Sequence, residues 1–162
     1  MEQNFEIMDV TCRDGSYVIK FQLSTADEKH ICQGIESLGY RYTEIGHGMG
    51  LGASRIKKWS ALHTDEEYLR CAQENLRTIK YGVFCIPGIA TLDDIKLAAE
   101  YGCSFIRIGC NVEDIKVQLE GKISGKGEMS GKNFSDIKFI SGYEDSNCHN
   151  KPIYAPLSIN IN

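Results

Sequence analysis

Short apolar runs alternating with stretches of helical period, a Gly, Pro or Asn-rich loop after each run, and cap signals at the helix starts predict an α/β domain on a parallel sheet. The pattern holds from Phe5 to about Val117. Four strands are expected, at residues 5–11, 42–46, 82–86 and 105–109. Helices are expected between them. Residues 24–38 place Ile31, Ile35 and Leu38 on one face, residues 65–80 do so with Tyr68, Leu69, Ala72, Leu76 and Ile79, and residues 92–101 with Ile95, Ala98 and Ala99. Thr25 with Glu28 and Thr64 with Glu67 read as capping boxes, and Thr91 with Asp94 as a weaker relative. Gly39, Gly82 and Gly102 lie just past the expected helix ends. Strand spacings of roughly 25 to 40 residues suit a closed (β/α)8 barrel and an open doubly wound sheet equally, so spacing does not choose between them.

Beyond residue 117 the pattern stops. The run Gly121-Lys122-Ile123-Ser124-Gly125-Lys126-Gly127 has no usable period, and residues 118–162 are expected to form an irregular or flexible tail, with room for a short strand near 136–140 or 153–159. The expected division is therefore a β/α unit over 1–117 and a tail over 118–162.

Composition narrows the function. A chain of 162 residues supports one core, and 42% hydrophobic with 25% charged residues is usual for a soluble globular protein. A net charge of -4 argues against nucleic acid or an anionic membrane as partner. No stretch nears the roughly 20 apolar residues that span a bilayer. Glu2 and Glu6 sit where a leader would carry basic residues, so a cytoplasmic location is expected. The seven cysteines include no C-x-x-C pair and are read as reduced thiols, with Cys85 and Cys103 filling apolar positions.

The richest segment is Asp9-Val10-Thr11-Cys12-Arg13-Asp14-Gly15-Ser16-Tyr17. Adjacent Arg and Asp on a regular strand would face opposite ways, so both serve one site only where the strand has ended and the chain turns. An Arg grips a carbonyl or carboxylate oxygen and an Asp offers a hard oxygen to a divalent cation, a pairing suited to enolate chemistry on a small oxo acid. Glu44, inside the second apolar run, needs a partner if it is buried. The loop Gly46-His47-Gly48-Met49-Gly50-Leu51-Gly52 does not open into a strong helix and lacks a nucleotide-binding signature. Three roles stay open. Asp9 either bonds loop amides or supports the site, His47 either meets a substrate carboxylate or is solvated, and Arg107 points either inward to Glu44 or substrate or outward between helices.

Asp9-Val10-Thr11-Cys12-Arg13-Asp14-Gly15, followed on the second strand by Glu44-Ile45-Gly46-His47-Gly48, resembles the DRE-TIM metallolyases. Arg13-Asp14-Gly15-Ser16, the Gly-rich loop and Ile86-Pro87-Gly88-Ile89-Ala90-Thr91 look most like its 4-hydroxy-2-oxovalerate aldolase branch. The resemblance implies a TIM (β/α)8-barrel fold, of which residues 5–117 supply the first four β/α units. It implies Mn2+ or Mg2+ bound partly through Asp14, Arg13 on the enolate oxygen of pyruvate, Glu44 orienting Arg13, and His47 near the substrate. Tyr17 stands where that branch commonly carries a proton-transfer His. The family completes its metal site with a late His-x-His pair, and His30, His47, His63 and His149 contain none. A barrel typically needs about 250 residues. The expected function is therefore metal-dependent retro-aldol cleavage of a 4-hydroxy-2-oxo acid, or its reverse. The alternative is a truncated, inactive half-barrel that acts as an interaction module or one part of a split enzyme, with open sheet edges favouring self-association.

Overall fold

The structure, a computed structural model, describes residues 6–86 and 88–109, with the backbone of residues 110 and 138–143. Five strands form one parallel sheet: β1 (Met8–Asp9), β2 (Tyr42–Glu44), β3 (Lys80–Cys85), β4 (Phe105–Cys110) and β5 (Lys138–Tyr143). Their spatial order is β1-β2-β3-β4-β5. This decides what spacing left open. A doubly wound sheet reverses its strand order at a switch point, whereas strands laid down in sequence order wind in one direction, as in a barrel.

The helices are α1 (Thr11–Gly15), α2 (Thr25–Ser37), α3 (Asp65–Asn75) and α4 (Leu92–Glu100). One side of the sheet carries the main core, where Ile45, Tyr81, Val83, Cys85 and Ile106 meet Cys32, Leu69, Ala72, Leu76 and Ala98 from the helices. Strand alternation sends Glu44, Gly82, Phe84, Arg107 and Gly109 to the other side. The chemistry-bearing residues share that face.

The boundaries differ from expectation where distant side chains intervene. The strand expected at 5–11 is only Met8–Asp9, because Asp9 ends it. Its Oδ2 accepts from the Thr11 amide at 3.2 Å and from Thr43 Oγ1 at 2.9 Å, which turns the chain into α1. Asp9 is thus loop architecture. At α2 the cap is Ser24, whose side chain accepts from the Asp27 amide, and not the expected Thr25 with Glu28. The capping boxes at Thr64 with Glu67 and Thr91 with Asp94 form as the sequence indicates.

Helix α3 stops five residues before the expected end at Lys80, because Glu36 on α2 captures the next turn of backbone. Its Oε1 accepts from the amides of Arg77 at 2.8 Å and Ile79 at 3.0 Å, from the Thr78 amide, and from Thr78 Oγ1 at 3.1 Å. β5 lies beyond residue 117 and pairs along its whole length with β4. It overlaps the short strand expected near 136–140, while the other expectations for 118–137 and 144–162 fall outside the described residues. No helix among the described residues is long and apolar enough to cross a membrane.

Burial alone would raise the Glu36 carboxyl, but the three amides and the Thr78 hydroxyl outweigh it and hold its pKa at about 2. A carboxyl depressed from its ordinary 4.5 contributes stability that is complete above about pH 4.5 and is lost as pH falls toward 2. Glu36→Gln is expected to lower stability at pH 7 by about 1 kcal/mol, a modest figure because the group is part-exposed and screened. Urea unfolding of both proteins at pH 7 and pH 3 should show the gap narrowing in acid.

Candidate active site

The site is built at the end of β1. Helix α1 opens as the Asp14 amide donates to the Val10 carbonyl at 2.8 Å, and this single turn sends the adjacent side chains of Arg13 and Asp14 to different depths. Arg13 is 1% exposed. The Asp14 side chain is 47% exposed, and its Oδ1 lies 2.7 Å from Arg13 Nη1. The turn that must follow the strand for both groups to serve one place is supplied by this helix.

Arg13 is also held from other sides. Its Nε donates to Glu44 Oε2 at 3.1 Å, its Nη1 donates to the Gly48 carbonyl at 3.3 Å, and its guanidinium carbon sits 4.5 Å from the centroid of the Phe84 ring. Glu44 is wholly buried, so it must be fully partnered. Its other partner is Arg107. Arg107 Nε donates to Oε1 and Nη2 to Oε2, both at 2.7 Å, a two-point fork that settles the open question in favour of the inward orientation. Arg107 also lies 4.5 Å from the Phe84 centroid.

One aromatic ring therefore serves two guanidiniums, and one carboxylate bridges them. Phe84 and Arg107 are register partners on β3 and β4. The ring lies over Gly109, where a Cβ would overlap its ring atoms, so a side chain at that position would displace Phe84. Phe84 and Gly109 were not legible as site residues, because a Phe in a strand and a Gly at its end look like ordinary core and turn.

The loop after β2 is tied down along its length. Leu51 N donates to the Phe84 carbonyl at 2.9 Å, Gly52 N to Asp65 Oδ2 at 2.7 Å, and Arg55 forks onto Asp94 at 2.6 and 2.7 Å. Gly50 has φ 87° and a Cβ there would overlap the Phe84 carbonyl, so this position requires glycine. His47 is buried. Its Nδ1 accepts from the Met49 amide at 3.0 Å, which leaves Nε2–H to donate to the Trp59 carbonyl at 2.7 Å, and its ring stacks on Phe21. Desolvation pushes the imidazole below its usual pKa despite the Trp59 bond, which keeps it neutral.

Tyr17 stands at the rim, with its hydroxyl 3.2 Å from the Gly48 carbonyl and 3.0 Å from Met49 Sδ. Tyr17 and Arg13 thus converge on the oxygen of Gly48. The structure brings together Arg13, Asp14, Tyr17 and Glu44, while His47 shapes the adjacent loop with both nitrogens on backbone groups.

Beneath the loop lies Glu28, which the sequence pattern marks as a cap and the structure turns into the core. Glu28 is 1% exposed; its Oε2 accepts from the Gly46 amide at 3.1 Å and its Oε1 is without a hydrogen-bond partner. Burial first, then the neighbouring Cys32, raise its carboxyl well above the usual range against the opposing Gly46 bond. The available signal was its place on the inward stripe with Ile31, Cys32 and Ile35.

The divalent cation implied by the resemblance is not accommodated by these residues alone. Glu44 has both oxygens bound to guanidinium groups, His47 has both nitrogens bound to backbone, and the Asp14 carboxylate, 47% exposed, is engaged by Arg13. Among the described residues no group of three His, Cys, Asp or Glu side chains is placed to hold a metal ion.

A family model described as HMGL-like matches residues 4–141. The chain belongs to this family. The fold is of TIM-barrel type, and a sheet wound in sequence order is consistent with part of such a barrel. Among curated relatives of this HMGL-like chain, the 4-hydroxy-2-oxovalerate aldolase of Serratia proteamaculans is 40% identical over 103 residues, covering 64% of this chain and 31% of the relative. The oxaloacetate decarboxylase of Mycobacterium tuberculosis is 38% identical over 102 residues, covering 63% and 30%. The 4-hydroxy-2-oxovalerate aldolase of Carboxydothermus hydrogenoformans is 33% identical over 120 residues, covering 73% and 36%. The chain spans about a third of the length of the curated relatives it matches.

Three substitutions test this arrangement. Gly109→Ala should displace the Phe84 ring and cost about 1–3 kcal/mol by overpacking, whereas Gly34→Ala, with nothing within 4 Å, should be neutral or slightly stabilising; urea denaturation measures both. Because the folded Glu28 carboxyl titrates above its unfolded value, its contribution is complete below about pH 4.5 and is lost as pH rises through the folded pKa. Glu28→Gln, neutral and of the same shape, should therefore gain about 1–3 kcal/mol at pH 8 and little at pH 4, read from urea midpoints.

Proposed function

We propose that this chain carries the enolate-stabilising part of a carbon-carbon lyase that acts on a small 2-oxo acid, cleaving a 4-hydroxy-2-oxo acid to pyruvate and an aldehyde or running the reverse condensation. The observation that carries the reading is the buried Arg13 guanidinium, fixed by Glu44 on one edge and lying beside the outward carboxylate of Asp14 on the other. The relatives named 4-hydroxy-2-oxovalerate aldolase and oxaloacetate decarboxylase support it, since both named substrates are 2-oxo acids in which breaking the bond between carbons 3 and 4 leaves an enolate at the C2 carbonyl.

In the retro-aldol direction the 4-hydroxyl gives its proton to a solvent base and its oxygen becomes the aldehyde carbonyl, the bond between carbons 3 and 4 breaks, its electron pair forms the C2–C3 double bond, and the C2 carbonyl π pair moves onto oxygen to give the enolate of pyruvate. Negative charge therefore develops on the C2 oxygen. A guanidinium already held in place lowers that barrier without reorganising when the bond breaks. Tyr17 shares the Gly48 carbonyl with Arg13 and is suited to give a hydrogen bond or proton rather than take one, a free phenol having a pKa of about 10. Asp14 is the proposed contribution to a divalent ion, Mn2+ or Mg2+, whose other donors would come from outside the described residues. His47, held neutral, keeps the loop shape that presents the Gly48 carbonyl. The free thiols among the described cysteines support a reducing, cytoplasmic setting.

A second reading is that the chain is one part of a divided enzyme and associates through its sheet edges with the part that supplies further ligands; it is favoured by the described residues placing no three His, Cys, Asp or Glu side chains where they could hold a metal ion. Pyruvate release from 4-hydroxy-2-oxovalerate with added Mn2+ tests the first reading. Arg13→Ala should lower the rate about 10²- to 10³-fold. A wild-type trace equal to the enzyme-free blank would remove the lyase reading for the chain acting alone. Gel filtration at several loadings tests the second, for which an elution volume that shifts with concentration is expected.

A further inference from the structure

Glu44 is shared unequally. Arg107 takes both carboxylate oxygens at 2.7 Å with a side-on fork, while Arg13 reaches one of them, through Nε alone, at 3.1 Å. An Arg and a carboxylate left to themselves close a two-point fork. Arg13 and Glu44 are both buried and close enough to do so, and what occupies the second position is Arg107. The remaining reach of Arg13 is directed to Asp14 and Gly48 at the rim.

Phe84 fixes the geometry, since both guanidiniums lie at 4.5 Å from its centroid.

We propose that Arg107 is a positioning residue for Arg13: by holding both oxygens of Glu44 it prevents Glu44 from closing a fork on Arg13, and so keeps the terminal nitrogen of Arg13 at the rim and the site receptive to a small carboxylate anion. This rests on the proposed function for its ligand, and on the geometry around Glu44 alone for its structural part. No bond is made or broken by Arg107.

The test has two arms on the full chain. The first is a crystal structure of Arg107→Gln, with Arg107→Lys as the second variant should the first fail to fold. Glu44 is expected to rotate onto Nε and Nη2 of Arg13 and to draw Nη1 away from Asp14. An Arg13 that keeps its wild-type contacts in either variant overturns the proposal, whether or not the chain has lyase activity. The second arm is titration with oxalate, a planar dianion that resembles the enolate of pyruvate, in the presence of Mn2+. Affinity is expected to fall about tenfold or more in Arg107→Gln and to recover in part when Glu44→Gln is added, because the released carboxylate is what does the harm. A merely structural Arg107 would leave the double variant as weak as, or weaker than, the single one, and that result also overturns the proposal. Wild type that binds no oxalate counts against the proposed function, while the crystallographic arm still decides the role of Arg107.

Discussion

The Glu44 carboxylate has no contact with solvent, and most of the site follows from that constraint. An unpaired buried carboxylate costs several kcal/mol or more and would neutralise instead, so cations must come to it. Arg13 arrives from the turn after β1 and Arg107 from the middle of β4. Two guanidiniums beside one carboxylate need a further surface, and Phe84 gives them a π face. Phe84 in turn needs room, and Gly109 leaves it. Such an arrangement adds little net stability, because desolvation offsets most of the attraction. What it gives is a guanidinium in one orientation.

A second set of bonds fixes the loop that closes over this group. Its carbonyl at Gly48 receives both Arg13 and Tyr17, so the loop position sets where the two donors meet. His47, Leu51, Gly52 and Arg55 each tie the loop to a different element, and Glu28 supports its first turn from below. Residues arranged this way need little ordering when a ligand enters, which is the condition for electrostatic stabilisation to act on the barrier rather than on binding alone.

The HMGL-like family places this geometry in a barrel whose sites lie at the C-terminal ends of the strands. Glu44 ends β2 and Arg13 follows β1, so both occupy that end. The segment matched by the family model, residues 4–141, holds the arginine and the two acidic residues.

By itself the sequence determined the features that depend on neighbours along the chain. The capping boxes at Thr64 and Thr91 are legible because their partners lie three residues away, and the α/β class is legible because apolar period is local. Arg13, Asp14 and Glu44 could be singled out because a charged residue in or beside an apolar run has few bland explanations. The direction of Arg107, the shared ring of Phe84, the inward turn of Glu28 and the early end of α3 under Glu36 were decided only by tertiary structure. Each joins groups distant in sequence, such as Glu44 and Arg107, and no local rule ranks one remote partner above another. Burial made those choices, since a polar group removed from water takes whichever partner the packed strands and helices bring within reach.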